Sequence, residues 1–228
     1  MQAVILAGGL GTRLKPITER IPKPMVSVAG KPFLAHQISL LARNGVDDIV
    51  LCTGYLSEAI ESYFRDGAAF GVSFRYSREP EPLGTGGALK HAARYLSDAF
   101  FVLNGDTLLD IDYESVFARF KSLAVVGLMV AYDNSVFVAE GNVGVDARGF
   151  VAAYSKEAGC GLSLVDAGVS VFSKNITGYF PRKKRFSLEE DVYPKLIAAS
   201  QLAAYPTSQR FYDMGTPERI QVLEEVLR

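Results

Sequence analysis

Arg13 stands directly after a glycine-rich stretch, "GGLGT" (8 to 12), and Lys23 follows within "PKPM" (22 to 25). Glycines at positions 8, 9 and 11 permit positive φ and close backbone approach, so successive amide hydrogens can converge on phosphate oxygens. Arginine and lysine supply the charge that amides lack. The combination suits a triphosphate. The apolar run "AVILA" (3 to 7) just before it reads as a buried strand, and open α/β sheets form their ligand crevice at the carboxyl ends of such strands.

Competing glycine motifs fail at particular residues. A dinucleotide fingerprint needs a third glycine where Leu14 stands and an acidic residue closing the next strand, which ends instead in Cys52 and Thr53. No GxxxxGK[ST] phosphate loop occurs either. A nicotinamide-dependent oxidoreductase therefore lacks both of its defining features here.

A second glycine-rich segment, "EPLGTGGAL" (81 to 89), reads as a loop entering a helix at Thr85, with glycines that let a ligand approach the backbone. Asp106 follows the apolar strand "FFVLNG", and Asp213 lies in "FYDMG". Glu189 and Asp191 in "SLEED" read equally well as sugar contacts or as the acidic first turn of a helix beginning near Ser187. His36 and His91 lack metal-ligand spacing and read as packing or surface residues. The run "PRKKR" (181 to 185) reads as a solvated turn, with no aromatic interleaving to suggest nucleic acid.

These residues need a scaffold. Strand-like runs alternate with helical patterns: "AVILA", "FLAHQISLLARNG", "DIVLCT", "SEAIESYF", "VSFRYS", "GGALKHAARYL" and "FFVLNGD". That β-α-β-α-β-α-β order predicts parallel strands with helices on both faces. Leu34, Ile38 and Leu41 fall on one face of the first helix, and Gly45 suits its left-handed end. After Asp110 the strand-like segments "VGLMVAY", "NVGVD", "FVAAYS" and "DAGVSVFS" predict an antiparallel insertion or mixed-sheet extension, followed by a helix in "SLEEDVYPKLIAAS" and a strand in "LAAYPT". Thr216 and Pro217 open a closing helix with Ile220, Leu223 and Leu227 on one face.

With 228 residues, a net charge of −1 and 49% hydrophobic residues, the chain reads as one globular domain without a field for nucleic acid or membrane. Cys52 and Cys160 are far apart, which argues against a disulfide framework or a zinc site. The longest apolar stretch is too short to span a bilayer and no secretory leader is present, so a cytoplasmic location is expected. A homo-oligomer is compatible with these features.

"LAGGLGTRL" followed by "PKPM" resembles the N-terminal motif of the sugar nucleotidyltransferases, or nucleotide-sugar pyrophosphorylases. "EPEPLGTGGAL", "VLNGDT", "DAGVSVF", "FSLEEDVYPKL" and "FYDMGTPE" follow in the family's order, so the resemblance covers essentially the whole catalytic domain. It implies a Rossmann-like mixed, mainly parallel sheet with a small antiparallel extension. Residues 1 to 110 would mainly bind the nucleotide and residues 111 to 228 mainly the sugar.

The activity implied is condensation of a nucleoside triphosphate with a sugar 1-phosphate, releasing pyrophosphate. Arg13, Lys23, Asp106 and Lys156 would serve catalysis, Arg13 on the departing phosphates and Lys23 at the reacting centre. Leu6, Ala7, Gly8, Gly9, Gly11, Thr12, Glu79, Gly84 and Thr85 would complete the nucleotide site. Asn104, Gly144, Ser155, Asp166 and Glu189 would join Lys156 around the sugar phosphate, and Asp106 with Asp213 would hold Mg2+. Ser155 and Asp166 depart from residues common in the family, which bears on sugar identity.

Glu79 favours GTP, because a carboxylate can accept from both the N1 and N2 hydrogens of guanine; it does not by itself exclude UTP. Within the family, "EPLGTGGALK" and "VLNGDT" look most like the members that join GTP to D-glycero-α-D-manno-heptose 1-phosphate. Mannose 1-phosphate guanylyltransferases and uridylyltransferases acting on N-acetylmuramate or glucose 1-phosphate are alternatives. A catalytically inactive regulatory subunit that keeps the fold is a further class. It predicts a lost phosphate-binding cation or metal carboxylate, whereas Arg13, Lys23, Asp106 and Asp213 are all present.

Overall fold

Alternating side chains give the central sheet two buried faces. In the strand Gln2–Leu6, Ala3 and Ile5 join one apolar cluster and Val4 the other; in Ala99–Asn104, Phe101 and Leu103 oppose Phe100 and Val102. A sheet apolar on both sides must be covered on both. The computed structural model describes residues 1–134, 136, 139–155 and 161–228, and shows that cover.

The first part of the chain contains β1 (Gln2–Leu6), the short pair β2 (Ser27–Val28) and β3 (Lys31–Pro32), and α1 (Phe33–Arg43). It continues through β4 (Asp48–Thr53), α2 (Ser57–Phe64), β5 (Ser73–Arg78), α3 (Gly84–His91), β6 (Ala99–Asn104) and β7 (Thr107–Leu108). Then come α4 (Tyr113–Ser122), β8 (Gly127–Tyr132), β9 (Val143–Val145), β10 (Val151–Tyr154) and β11 (Val165–Ser173). The last elements are α5 (Tyr193–Ala198), β12 (Leu202–Thr207), β13 (Tyr212–Asp213) and α6 (Pro217–Val226).

Seven strands form the main sheet in the order β12-β8-β11-β6-β1-β4-β5. Only β11 runs against its neighbours, so the sheet is mixed and mainly parallel. Helices α1, α2, α4 and α6 cover one face, with Leu34, Ile38 and Phe64 among their buried side chains; α3 and α5 cover the other through Leu89 and Leu196. β8 and β12 extend the sheet as parallel members, and separate antiparallel pairs are formed by β9 with β10, β7 with β13 and β2 with β3.

Two elements differ from the sequence reading. Helix α4 occupies a stretch where none was expected, capped by Asp112, whose carboxylate accepts the Ser115 N–H at 3.0 Å. Buried Tyr113, Val116 and Phe120 lie along its inner face. The expected helix over "SLEEDVYPKLIAAS" starts as a π-helical turn, Leu188–Val192, before α5. The Tyr193 N–H reaches Leu188 O, five residues back, and Pro194, in the first turn of α5, has no N–H to offer Glu190.

Gly45 takes φ 71 past α1, and Thr216 accepts the Arg219 N–H at 3.4 Å to cap α6, as the sequence implies. Among the described residues no helix is long and apolar enough to cross a membrane.

Candidate active site

Leu6 at the end of β1 pairs with Asn104 at the end of β6 on one side and with Cys52 on the other. Strand order reverses beside β1, and a crevice at such a point is where α/β sheets bind ligands. A cleft of about 550 Å³ opens there. Leu6 through Leu14 line it, with Lys23, Glu79, Gly84, Thr85, Asn104, Asp106 and Glu189. Every residue expected at the nucleotide is therefore on this cleft.

Local backbone geometry brings Lys23 and Asp106 together. Gly11 at φ 61 turns the loop, and the Thr18 hydroxyl donates to the Gly11 carbonyl at 2.9 Å, folding the proline-containing connection back. Gly105 donates its N–H to Leu6 O at 3.0 Å, and a Cβ there would approach that oxygen to 2.6 Å. Only glycine lets the chain cross the end of β1 this closely. Lys23 then donates to Asp106 Oδ2, with side-chain exposures of 12% and 30%, so the pair belongs to the cleft and not to a solvated surface. The Thr107 hydroxyl donates to Asp106 Oδ1 at 3.2 Å.

Asp213 is not among the residues lining the cleft, but its neighbours are Asp106 and Arg13, which are. β13 pairs with β7, setting Asp213 opposite Thr107, and Met214 N–H donates to Asp106 O at 3.0 Å. Asp213 accepts from Gly215 N–H on Oδ1 at 2.8 Å and from Arg219 on Oδ2 at 2.6 Å. That hydrogen bond, and the charges of Asp213 and Asp106, raise the Arg219 pKa further. Among the described residues no group of three or more His, Cys, Asp or Glu could hold a metal by itself. Asp106, in the turn before β7, and Asp213 on β13 nevertheless offer the hard oxygen donors that a cation such as Mg2+ takes together with phosphate oxygens.

Glu79 leans over the glycine loop. A Cβ on Gly8 would overlap its Oε1, while Oε2 accepts the Leu83 N–H at 3.0 Å. Burial raises the Glu79 pKa, partly offset by that N–H and by His91. The glycines of "GTGG" serve packing as well as access: Gly86 and Gly87 donate to the Phe186 carbonyl at 3.1 Å, and a Cβ on Gly84 would meet that oxygen at 2.6 Å. Their close neighbour is the segment leading to the π turn, where the sequence reading expected a ligand.

The run "PRKKR" is an exposed bend, as expected, with specific contacts besides. Lys183 pairs with Asp191 at 2.7 Å, Lys90 donates to Pro181 O at 2.9 Å, and Arg185 lines the cleft. Asp191 accepts the Ser187 N–H at 3.0 Å; Lys183, then that N–H, lower its pKa. It therefore acts as a cap and ion-pair partner. Glu189 instead accepts from the Ser187 hydroxyl and, at 2.8 Å, from Thr85, whose oxygen accepts the Leu188 N–H at 2.9 Å.

Of the other residues expected at the sugar, Asp166, Gly144 and Ser155 are not on the cleft lining. β11 shifts register between Asp166 and Ser170, and Gly168 at φ 72 packs near Asn104 and Thr107. Asp166 accepts from Gly168 N–H at 2.9 Å and from the Tyr154 hydroxyl at 3.3 Å. Tyr154 and Tyr193 stand edge to face, 5.2 Å between ring centres. Burial, then the charges of Asp166 and Glu189, raise both phenols, so the two carboxylates act on one aromatic pair. Gly144 lies on β9, and Ser155 N–H donates to Asn142 O at 3.0 Å. Lys156 and Cys160 lie outside the described residues. Arg185, Tyr154, Tyr193 and Arg219 carry no motif that marks them in the sequence; the tyrosines' neighbours, Ser155 with Lys156 and the "SLEED" segment, are the available signal.

Fold and cleft together define an α/β class that binds its ligand at the switch point of the sheet, and the chain belongs to the nucleotidyl transferase family, whose model matches residues 2–225. It is 37% identical to D-glycero-alpha-D-manno-heptose 1-phosphate guanylyltransferase of Campylobacter jejuni, over 96% of both chains. It is 35% identical to Mannose-1-phosphate guanylyltransferase of Mycobacterium tuberculosis, over 96% of this chain and 62% of that longer protein. HddC from Yersinia pseudotuberculosis, crystallised as a complex with GMP-PN, is similar at a TM-score of 0.84 and 33% identity, with 100% of this chain and 99% of that one covered.

Proposed function

We propose that the protein is a sugar 1-phosphate guanylyltransferase that joins GTP to D-glycero-α-D-manno-heptose 1-phosphate, giving GDP-heptose and pyrophosphate. The observation that carries this reading is the cleft in which the glycine loop, Arg13, Lys23, Asp106 and Glu79 meet. The Campylobacter jejuni and Yersinia pseudotuberculosis relatives support the guanylyl and heptose assignments. The reading places the enzyme in the cytoplasm, with residues 1 to 110 mainly holding the nucleotide and 111 to 228 mainly the sugar.

An oxygen of the sugar 1-phosphate attacks the α-phosphorus of GTP. The new P–O bond forms as the bond from that phosphorus to the bridging oxygen breaks, and the electron pair leaves with pyrophosphate. Anions are being brought together, so the chain's task is to hold them in line and balance their charge. Arg13 binds the departing phosphates, and Lys23 exchanges its bond to Asp106 for one to the reacting phosphates. Glu79 accepts from the guanine edge. Asp106 and Asp213 would hold Mg2+, which supplies Lewis-acid stabilisation of phosphoryl oxygens. Asp166 and Glu189 accept from sugar hydroxyls, and Asn104, Gly144, Ser155 and Lys156 complete that side.

Released pyrophosphate, measured with each nucleoside triphosphate against each sugar phosphate, tests the reading. GTP with the heptose phosphate should be fastest. A faster reaction with mannose 1-phosphate would transfer the assignment to that sugar, as the Mycobacterium tuberculosis relative suggests. Failure of GTP with every sugar would overturn the guanylyl assignment.

A further inference from the structure

Each carboxylate of the Asp106 and Asp213 pair is clamped on both oxygens, and each clamp includes one cation. Lys23 and the Thr107 hydroxyl hold Asp106; Arg219 and the Gly215 N–H hold Asp213. Lys23 belongs to a motif the sequence announces, whereas Arg219 does not. Its position is nevertheless built. The Thr216 cap fixes its backbone, and a Cβ on Gly215 would come to 2.7 Å from Asp213 Oδ1 and 3.6 Å from Arg219 Nη1. Gly215 thus leaves room for the ion pair while donating to it.

We infer that Arg219 is a positioning residue that serves as the built-in counter-ion of the metal carboxylates. It holds Asp213 in place and keeps a bare divalent cation from binding strongly before the triphosphate arrives. The inference rests on the reading of Asp106 and Asp213 as metal carboxylates. Lys23 and Arg219 balance the charge of the two carboxylates and the Arg13 guanidinium stands close by, so an incoming divalent ion gains little from the protein alone. A bound triphosphate adds negative charge to the same place and restores the attraction.

The test measures free Mn2+ by electron paramagnetic resonance as MnCl2 is titrated into the folded protein, with and without a non-hydrolysable GTP analogue. Without nucleotide, Arg219→Gln should bind Mn2+ about three- to tenfold more tightly than the parent, the modest factor expected for removing a half-exposed charge. Arg219→Lys, which keeps the charge, should stay near the parent, and the analogue should shrink the difference. A purely structural role predicts a lower melting temperature for Arg219→Gln with no change in Mn2+ affinity. That result, together with lost binding in Asp213→Asn, would overturn the counter-ion role while leaving the metal reading intact. If Asp213→Asn retains full Mn2+ binding in the presence of the analogue, the metal reading fails and the inference falls with it.

Discussion

The two sides of the cleft are made of different materials. On the side proposed for the nucleotide, a loop after β1 and the head of α3 bring backbone to the surface at glycines, between the side chains of Arg13, Lys23 and Glu79. The side proposed for the sugar rests on side chains: Glu189 from a π turn lines the cleft, and off its lining stand Asp166 on a bulged strand, Tyr154 and the buried Tyr193. A backbone surface recognises what all nucleoside triphosphates share. A side-chain surface can be changed one residue at a time, so substrate choice can vary there without disturbing the phosphate machinery.

The largest effect should come from where the sides meet. Asp106→Asn keeps the shape of the side chain and its Thr107 hydrogen bond but removes the charge that faces Lys23. Single-turnover pyrophosphate release should fall about 100- to 1000-fold, with the fold unchanged by circular dichroism. Near-parent turnover would show that the two sides do not share a metal centre.

A smaller effect, on stability, separates packing glycines from ligand-facing ones. Gly84 has φ 75, and a Cβ there would meet the Phe186 carbonyl oxygen at 2.6 Å, whereas nothing lies within 4 Å of a Cβ on Gly9. Gly84→Ala should lose about 2 to 4 kcal/mol in urea denaturation, from strain at positive φ plus the clash. Gly9→Ala should keep its stability and raise the KM for GTP. Equal stability losses in the two variants would mean that the loop after β1 is also a packing device.

The same contrast explains what is legible in the sequence. Strand β4 spans Asp48–Thr53 and α2 spans Ser57–Phe64, the bounds their apolar patterns imply, because local periodicity and burial agree there. The "GGLGTR" loop is readable because glycine requirements are local. Helix α4 carries an Asp112 cap and a helical apolar period, but its aromatic residues lie between strand-like runs, which mask it. Arg219, Arg185 and the tyrosine pair are beyond reach for a different reason. Their meaning comes from partners far away in the chain: Asp213 is itself placed by β7, and the segment of Arg185 is seated on the glycines of α3.

Base choice should yield to a single atom change on the nucleotide side. Gln at position 79 presents one acceptor and one donor where the carboxylate presents two acceptors. Glu79→Gln should cut the preference for GTP over UTP about tenfold or more in competition assays. Because burial raises the Glu79 pKa, this carboxyl takes up its proton at higher pH than an ordinary glutamate as acid is added. GTP affinity of the parent should therefore weaken as pH falls through that raised value, and the variant should lack this step. An unchanged base ranking and an identical pH profile would remove Glu79 from recognition of the base.

The smallest effect belongs to the sugar side. Asp166→Asn retains an acceptor for the Gly168 N–H and can still meet the Tyr154 hydroxyl, so the bulge in β11 should persist. What is lost is one of the two negative charges acting on the Tyr154 and Tyr193 pair. The KM for the sugar 1-phosphate should rise about three- to tenfold, the worth of one weakened hydrogen bond to a charged acceptor, while the KM for GTP stays constant. A rise shared by both substrates would mean that Asp166 shapes the whole cleft. A rise confined to the sugar would make the division of labour between backbone and side chains a property of binding as well as of construction.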